Sequence, residues 1–289
     1  MQIGRVTEVW RYPMKSMAGE RLESSVVGAA GVAGDRGWAV RDEAAGEIRG
    51  AKKLAGLLQC SARYVREPGG DRVPPVVITF PDGATCRSDE PGAAQALSRL
   101  LGRDVTLWPR QPATAAEHYR RGAPDDPDME TEMRSVFGRL ADEPLPDFSV
   151  FPQELFEYTS PLGTYFDAFP LHLLTTSWLA HLAARNPAGR FDVRRFRPNL
   201  LIEPAGGEPR QVELDWAGRT LRVGEARIRV EVACPRCVMT TLPQQDLPKD
   251  PGILRTIVRD SGQNVGVYAT AVTPGRVAVG DAVVLEPAA

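Results

Sequence analysis

Cysteine and histidine are both scarce, with four of the former and three of the latter in 289 residues. Cys60, Cys86, Cys234 and Cys237 are too few and too unevenly spaced for a disulfide framework in a chain this long, so their chemistry must be local. With two of them in one short motif, they also cannot supply a four-thiolate iron–sulfur site. No run approaches the roughly 18 uninterrupted apolar residues of a membrane helix, and the opening residues carry no apolar stretch of a secretion signal. A cytoplasmic protein without membrane contact is expected. Neither charge sign dominates: 35 Lys plus Arg against 37 Asp plus Glu leave a net charge of −2. That balance removes the general electrostatic pull of a nucleic-acid binder. No G-x-G-x-x-G segment follows a strand, so no dinucleotide site is expected, and no internal repeat is visible.

What is present is ordinary globular material, 43% hydrophobic and 25% charged, in a chain long enough for two packed units. The first part reads as short extended runs cut by Gly and Pro, such as Val76 to Phe80 before the turn Pro81-Asp82-Gly83. Helices are expected over Lys52 to Leu58 and Ala93 to Leu101, with a strand over Asp104 to Trp108. From Gln111 to about Asp147 the chain turns polar, acidic and Pro-rich without a sustained period, which suggests a connection or mobile lid. Beyond it come a strand at Leu171 to Leu174, a helix start at Thr175-Thr176-Ser177 and a short helix over Trp178 to Ala184. Thr220 to Val223 and Ala226 to Val232 alternate as a hairpin around Gly224-Glu225. Asp250-Pro251 opens a helix through Val258, and strands return at Val265 to Thr270 and Arg276 to Leu285. The fold class expected is mostly β with peripheral helices, α+β, rather than a doubly wound parallel sheet.

The hairpin delivers the chain to Cys234-Pro235-Arg236-Cys237. Structural zinc would need a second ligand pair, yet Cys60 and Cys86 lie 26 positions apart. His118, His172 and His181 form no zinc spacing with them. A redox dithiol would place its first Cys at a helix start, whereas strand alternation precedes this one and Pro243 limits any helix after it. Two inert core thiols are the plain alternative. Against that stands Arg236 between them, with Thr240 and Thr241 following, a cationic and polar setting that favours a thiolate metal ligand.

Cys234 to Thr241 resembles the cysteine segment of the MOSC family, named for the C-terminal domain of molybdenum cofactor sulfurases, with the amidoxime-reducing components among its relatives. Tyr12-Pro13-Met14-Lys15-Ser16 and Gly34-Asp35-Arg36-Gly37-Trp38 are similar to two signatures of the β-barrel domain that precedes MOSC. Phe196-Arg197-Pro198-Asn199 and Val277-Ala278-Val279-Gly280-Asp281 match two further segments. Leu242-Pro243-Gln244-Gln245-Asp246 departs from the Val-Asp-Pro of many relatives, and no ferredoxin-like segment appears in these residues.

The resemblance implies an N-terminal β-barrel domain over 1–118, a polar linker or lid over 119–147, and a MOSC β-barrel over 148–287. It implies molybdenum cofactor, Mo-molybdopterin, with Cys237 as metal ligand and catalytic centre; pyridoxal phosphate is not expected. Lys15, Ser16, Arg36, Thr175, Thr176, Ser177, Arg197, Asn199, Pro235 and Arg236 are the implied cofactor-binding residues. Basic forks and a helix start would suit a pterin phosphate, although a lone Arg is ordinarily solvated and Thr-Thr-Ser ordinarily only a cap. The implied activity is oxygen-atom transfer from small N-hydroxylated or N-oxide substrates. Electrons would come from a separate ferredoxin, flavoprotein or cytochrome. The alternatives are a carrier of cofactor or of sulfur on Cys237, and a metal-free binding module.

Overall fold

The computed structural model describes residues 1–69 and 72–287. Its N-terminal part runs β1 (Gln2–Arg11), β2 (Glu20–Leu22), β3 (Ser24–Gly28), β4 (Gly31–Val32), β5 (Trp38–Asp42) and β6 (Glu47–Arg49). Then follow β7 (Ser61–Tyr64), β8 (Val76–Thr79), β9 (Thr85–Arg87), α1 (Ala93–Leu101) and β10 (Val105–Pro109). Two helices, α2 (Ala116–Tyr119) and α3 (Met129–Phe137), lie in the polar stretch. The remainder is β11 (Leu171–Thr175), α4 (Thr176–Arg185), β12 (Leu200–Pro204), β13 (Thr220–Val223), β14 (Ala226–Pro235), α5 (Pro251–Asp260), β15 (Asn264–Thr273), β16 (Gly275–Ala278) and β17 (Ala282–Leu285).

Seven strands close into a barrel in the order β12-β11-β15-β14-β13-β17-β1, with β1 pairing back onto β12 and β2 appended to β1. All neighbours with defined register are antiparallel except β11 and β12, which run parallel with α4 as their crossover. The fold is therefore mostly β with helices at its edge, as the alternating apolar runs require. The barrel core is built from both ends of the chain, with Val6 and Val9 of β1 buried beside Leu173, Ile202, Ile228 and Val283. A second core lies under β5, β7 and β8, where Met14, Met17, Trp38, Leu57 and Ile78 pack together. The helices α4 and α5 cover one barrel face through Trp178, Leu182, Ile253 and Ile257.

Local sequence signals mark several boundaries well. Gly102 ends α1 in a left-handed conformation, and the Asp250 side chain accepts the Gly252 N–H while Pro251 opens α5. Three expectations need correction. Lys52 to Leu58 forms a single 3-10 helix over Ala55–Gln59; the Lys53 and Leu54 N–H groups turn back onto Gly50 just before it. Arg276 to Leu285 is two strands, broken where Gly280 takes a positive φ. The polar stretch contains α3, capped by Asp128 and ended by Gly138. Met129, Met133, Val136 and Phe137 recur there at helical spacing, over too few turns to stand out against the acidic background.

Candidate functional site

Most of the candidate residues leave the ends of strands and converge beside the barrel. After β1, the chain bridges to Trp38 at Met14 and turns so that Lys15 and Ser16 point inward, Ser16 with φ 70°. Arg36 and Arg197 also have positive φ, 49° and 56°. Non-glycine residues are rare in that region, so three candidate residues held there indicate backbone strain maintained by surrounding bonds. Asp35 supplies much of the restraint, accepting the Tyr12 N–H at 2.7 Å and the Asn199 Nδ2–H at 2.9 Å while pairing with Arg36. Asn199 also accepts the His172 N–H, so its side chain ties the Arg-Pro-Asn segment to β11. The Ser16 hydroxyl accepts the Ala51 N–H at 2.8 Å.

These segments line a cavity of about 830 Å³ that includes Lys15, Ser16, Arg36, Arg197, Asn199, Pro235, Arg236 and Cys237. Arg197 stacks on the Tyr12 ring, 4.1 Å from its centroid, and donates from Nη1 to the Met17 carbonyl at 2.6 Å. Arg236 donates from Nη1 to Cys234 Sγ at 2.9 Å and from Nη2 to the Phe196 carbonyl at 2.8 Å. Two donors are left over: Arg197 Nη2 and Arg236 Nε are buried without a partner. Unpaired buried donors are costly, so each marks a place where an acceptor belongs.

The charge around this cavity is lopsided. Lys15 Nζ lies 2.9 Å from Asp167 Oδ1 and 2.8 Å from the Tyr165 carbonyl. Burial would raise the Asp167 carboxyl, but Lys15, Lys52 and Arg36 hold it well below its ordinary value. Burial in turn lowers Lys15, and it lowers Arg197 to about 10 with Arg36 adding to the effect. Burial also lowers His172 to about 3, so its imidazole is neutral, and it raises the Cys234 thiol. Cys237 is half-buried at the start of a 3-10 turn, whereas Cys234 is buried. Among the described residues no three His, Cys, Asp or Glu side chains come together as a protein-only metal centre. All four cysteines are free.

Thr175, Thr176 and Ser177 do not line the cavity. The Thr175 hydroxyl caps α4 by accepting the Trp178 N–H, and the Ser177 hydroxyl donates to the Arg210 carbonyl. The Thr175 and Ser177 hydroxyls, 3.0 Å apart, are thus engaged away from the cavity. Sequence reasoning missed Lys52, Asp167, His172 and Tyr268, which do line it. Lys52 lay in a segment expected as a helix, and nothing in the sequence ties Asp167 to Lys15 across 152 positions.

Residues 163–284 match the MOSC domain, and residues 3–96 match the MOSC N-terminal beta barrel domain. The chain is a member of the MOSC family. Mitochondrial amidoxime reducing component 2 of Bos taurus is 25% identical to this MOSC chain over 253 residues, covering 83% of it and 67% of the relative. The Rattus norvegicus protein of the same name is 25% identical over 252 residues, with the same coverage. Among solved structures, the YUAD protein of Bacillus subtilis covers 97% of this chain and 94% of its own, at 10% identity and TM-score 0.44. YiiM of Geobacillus stearothermophilus covers 41% and 55%, at 18% identity and TM-score 0.31.

Proposed function

We propose that this MOSC protein is a molybdenum-cofactor-dependent oxidoreductase that reduces small N-hydroxylated or N-oxide compounds, with electrons delivered by a separate redox protein. One observation carries the proposal: Lys15, Arg36, Arg197 and Arg236, spread over 221 positions, line the same cavity as Cys237. The whole lining sets nine Lys and Arg side chains against the five carboxylates of Glu47, Asp125, Glu130, Glu132 and Asp167, an excess of cations that favours a bound anion. A pterin phosphate is such an anion, and the orphaned Arg197 Nη2 and Arg236 Nε are donors without acceptors. The half-buried Cys237 sulfur is a soft ligand suited to a metal already held by dithiolene sulfurs.

When bound, the cofactor supplies oxygen-atom transfer. The chain's residues do the rest. Cys237 Sγ anchors the metal, and the guanidinium groups neutralise the phosphate. Reduction of an N–OH group to N–H consumes two protons, and Lys15 Nζ, whose pKa burial lowers, holds a proton next to the Asp167 carboxylate at the cavity lining. The likeness to amidoxime reducing components supports the reductive direction. No helix among the described residues is long and apolar enough to cross a membrane, and four free thiols suit the reducing cytoplasm in which we place the protein.

The test is elemental and pterin analysis of protein made in a host competent for cofactor synthesis. Molybdenum near one per chain is expected. Arg197→Met or Arg236→Met should weaken retention roughly ten- to a hundredfold, since buried charge-assisted contacts contribute about 1.5–3 kcal/mol each. Cys237→Ala should abolish turnover with the fold intact, and Cys234→Ala should be much milder. Unchanged cofactor content in both arginine variants would sink the assignment. Cyanide-releasable sulfur without reductive turnover would make the protein a sulfur carrier instead.

A further inference from the structure

The wall of the cavity formed by residues 129–156 belongs to neither matched domain, since those end at 96 and resume at 163. Apart from Glu130 and Glu132, its lining side chains are apolar. Met133, Val136 and Phe137 of α3, with Phe148 and Phe151 after it, all line the cavity, and none is part of a hydrophobic core. The amphipathic face of α3 is thus spent on the cavity. Met129 and Phe156 stand at the same lining, 56% and 68% exposed.

The aromatic rings form two sets. Phe137 and Phe148 lie with centroids 5.2 Å apart at 60°. Phe151, Phe169 and Tyr268 form the other, with Phe169 and Tyr268 5.2 Å apart at 30°. Tyr268 in turn lies against His172 and shares the lining with Cys237. Polar ties hold the wall in place: Lys53 reaches Glu132 at 2.5 Å at the cavity's own lining, and Arg139 donates to the Arg236 carbonyl at 3.0 Å. Partly exposed Phe and Met side chains facing a cavity are stabilised by an apolar guest, and tilted ring pairs at this spacing suit a flat one. A pterin is a poor occupant there, because its ring amides and amines need hydrogen-bonding partners that Met and Phe lack.

We infer that this wall recognises the body of the substrate, and that the protein selects N-hydroxylated compounds carrying a flat, apolar, aromatic group. The inference rests on the proposed reductase reading for the reacting N–OH group, while the preference for a ring is a property of the wall itself. The ring lies along Phe148 and Phe151, and the N–OH end points toward Cys237.

Binding and turnover distinguish the two. Calorimetry on the full, cofactor-loaded chain compares benzamidoxime with acetamidoxime, which share a reacting group and differ by a ring in place of a methyl. Benzamidoxime should bind about tenfold tighter or more, from the extra apolar area removed from water. Phe148→Ala and Phe151→Ala should compress that ratio to about two- or threefold with molybdenum and pterin content unchanged. Phe148→Leu, which keeps apolar area and a conservative shape, should retain part of it. Equal affinity of the wild-type protein for the two probes overturns the inference, and this comparison needs no variant to fold. An equal loss for both probes in the alanine variants also overturns it, as does loss of pterin, which would give the wall to the cofactor. Absent turnover of both compounds counts against the reductase reading, and the affinity ratio is still scored.

Discussion

Glu213 is fully buried beneath the start of α4, where Oε1 accepts the Thr175 N–H at 2.5 Å and Oε2 has no partner. Burial raises its pKa from 4.5 to about 7, outweighing the Thr175 bond that lowers it. Between those values the folded protein holds a proton that the unfolded chain has released. Stability from this group is therefore present below the unfolded pKa and is lost as pH rises from about 4.5 through about 7. The difference amounts to roughly 3 kcal/mol by linkage. Glu213→Gln keeps an acceptor for Thr175 and removes the ionisation, so the variant should be more stable than the parent at pH 8 and comparable at pH 4.5. Urea midpoints at the two pH values check this, and a parent–variant difference independent of pH would refute it.

At the scale of elements, α3 is held at its C-terminal end by Arg139. This buried guanidinium donates to the Arg236 carbonyl, to Gln263 Oε1 and to the Phe137 carbonyl, while the Arg236 N–H donates to the Gln263 carbonyl. The peptide joining Arg236 to Cys237 is thereby tied to the helix that walls the cavity. Arg139→Met leaves buried acceptors without donors and should cost about 1–3 kcal/mol. It should also speed proteolysis within 129–138. Unchanged denaturation and unchanged cleavage would show that other contacts, such as Gly138 against Val238 and Leu254, hold the segment.

Across the whole molecule, the two family domains are not separable at the level of sheets. β1 closes the barrel between β12 and β17, and β3 pairs with β16. Residues 148–287 expressed alone would leave one edge each of β12 and β17 unpaired and remove Val6 and Val9 from the barrel core. That fragment should be insoluble or unfolded, whereas the 289-residue chain should melt in one transition. A dispersed NMR spectrum of the isolated fragment would refute the interlock.

Local structure was written in the sequence wherever a few adjacent residues decide it. The Gly102 stop, the Asp250-Pro251 start and the hairpin around Gly224-Glu225 each rest on a backbone preference or a short alternation. The signatures around Lys15, Arg36, Arg197 and Cys237 were legible as motifs for the same reason. Only the tertiary structure decided that these motifs share one cavity, that Thr175 caps α4 while Ser177 bonds the Arg210 carbonyl, and that Asp167 faces Lys15. It also decided that α3 forms in a polar stretch, because its apolar face is turned to the cavity and its ends are fixed by Lys53 and Arg139. Ion pairs and strand closures across 150 or more residues have no local signal, since they are set by which surfaces meet once the barrel has closed.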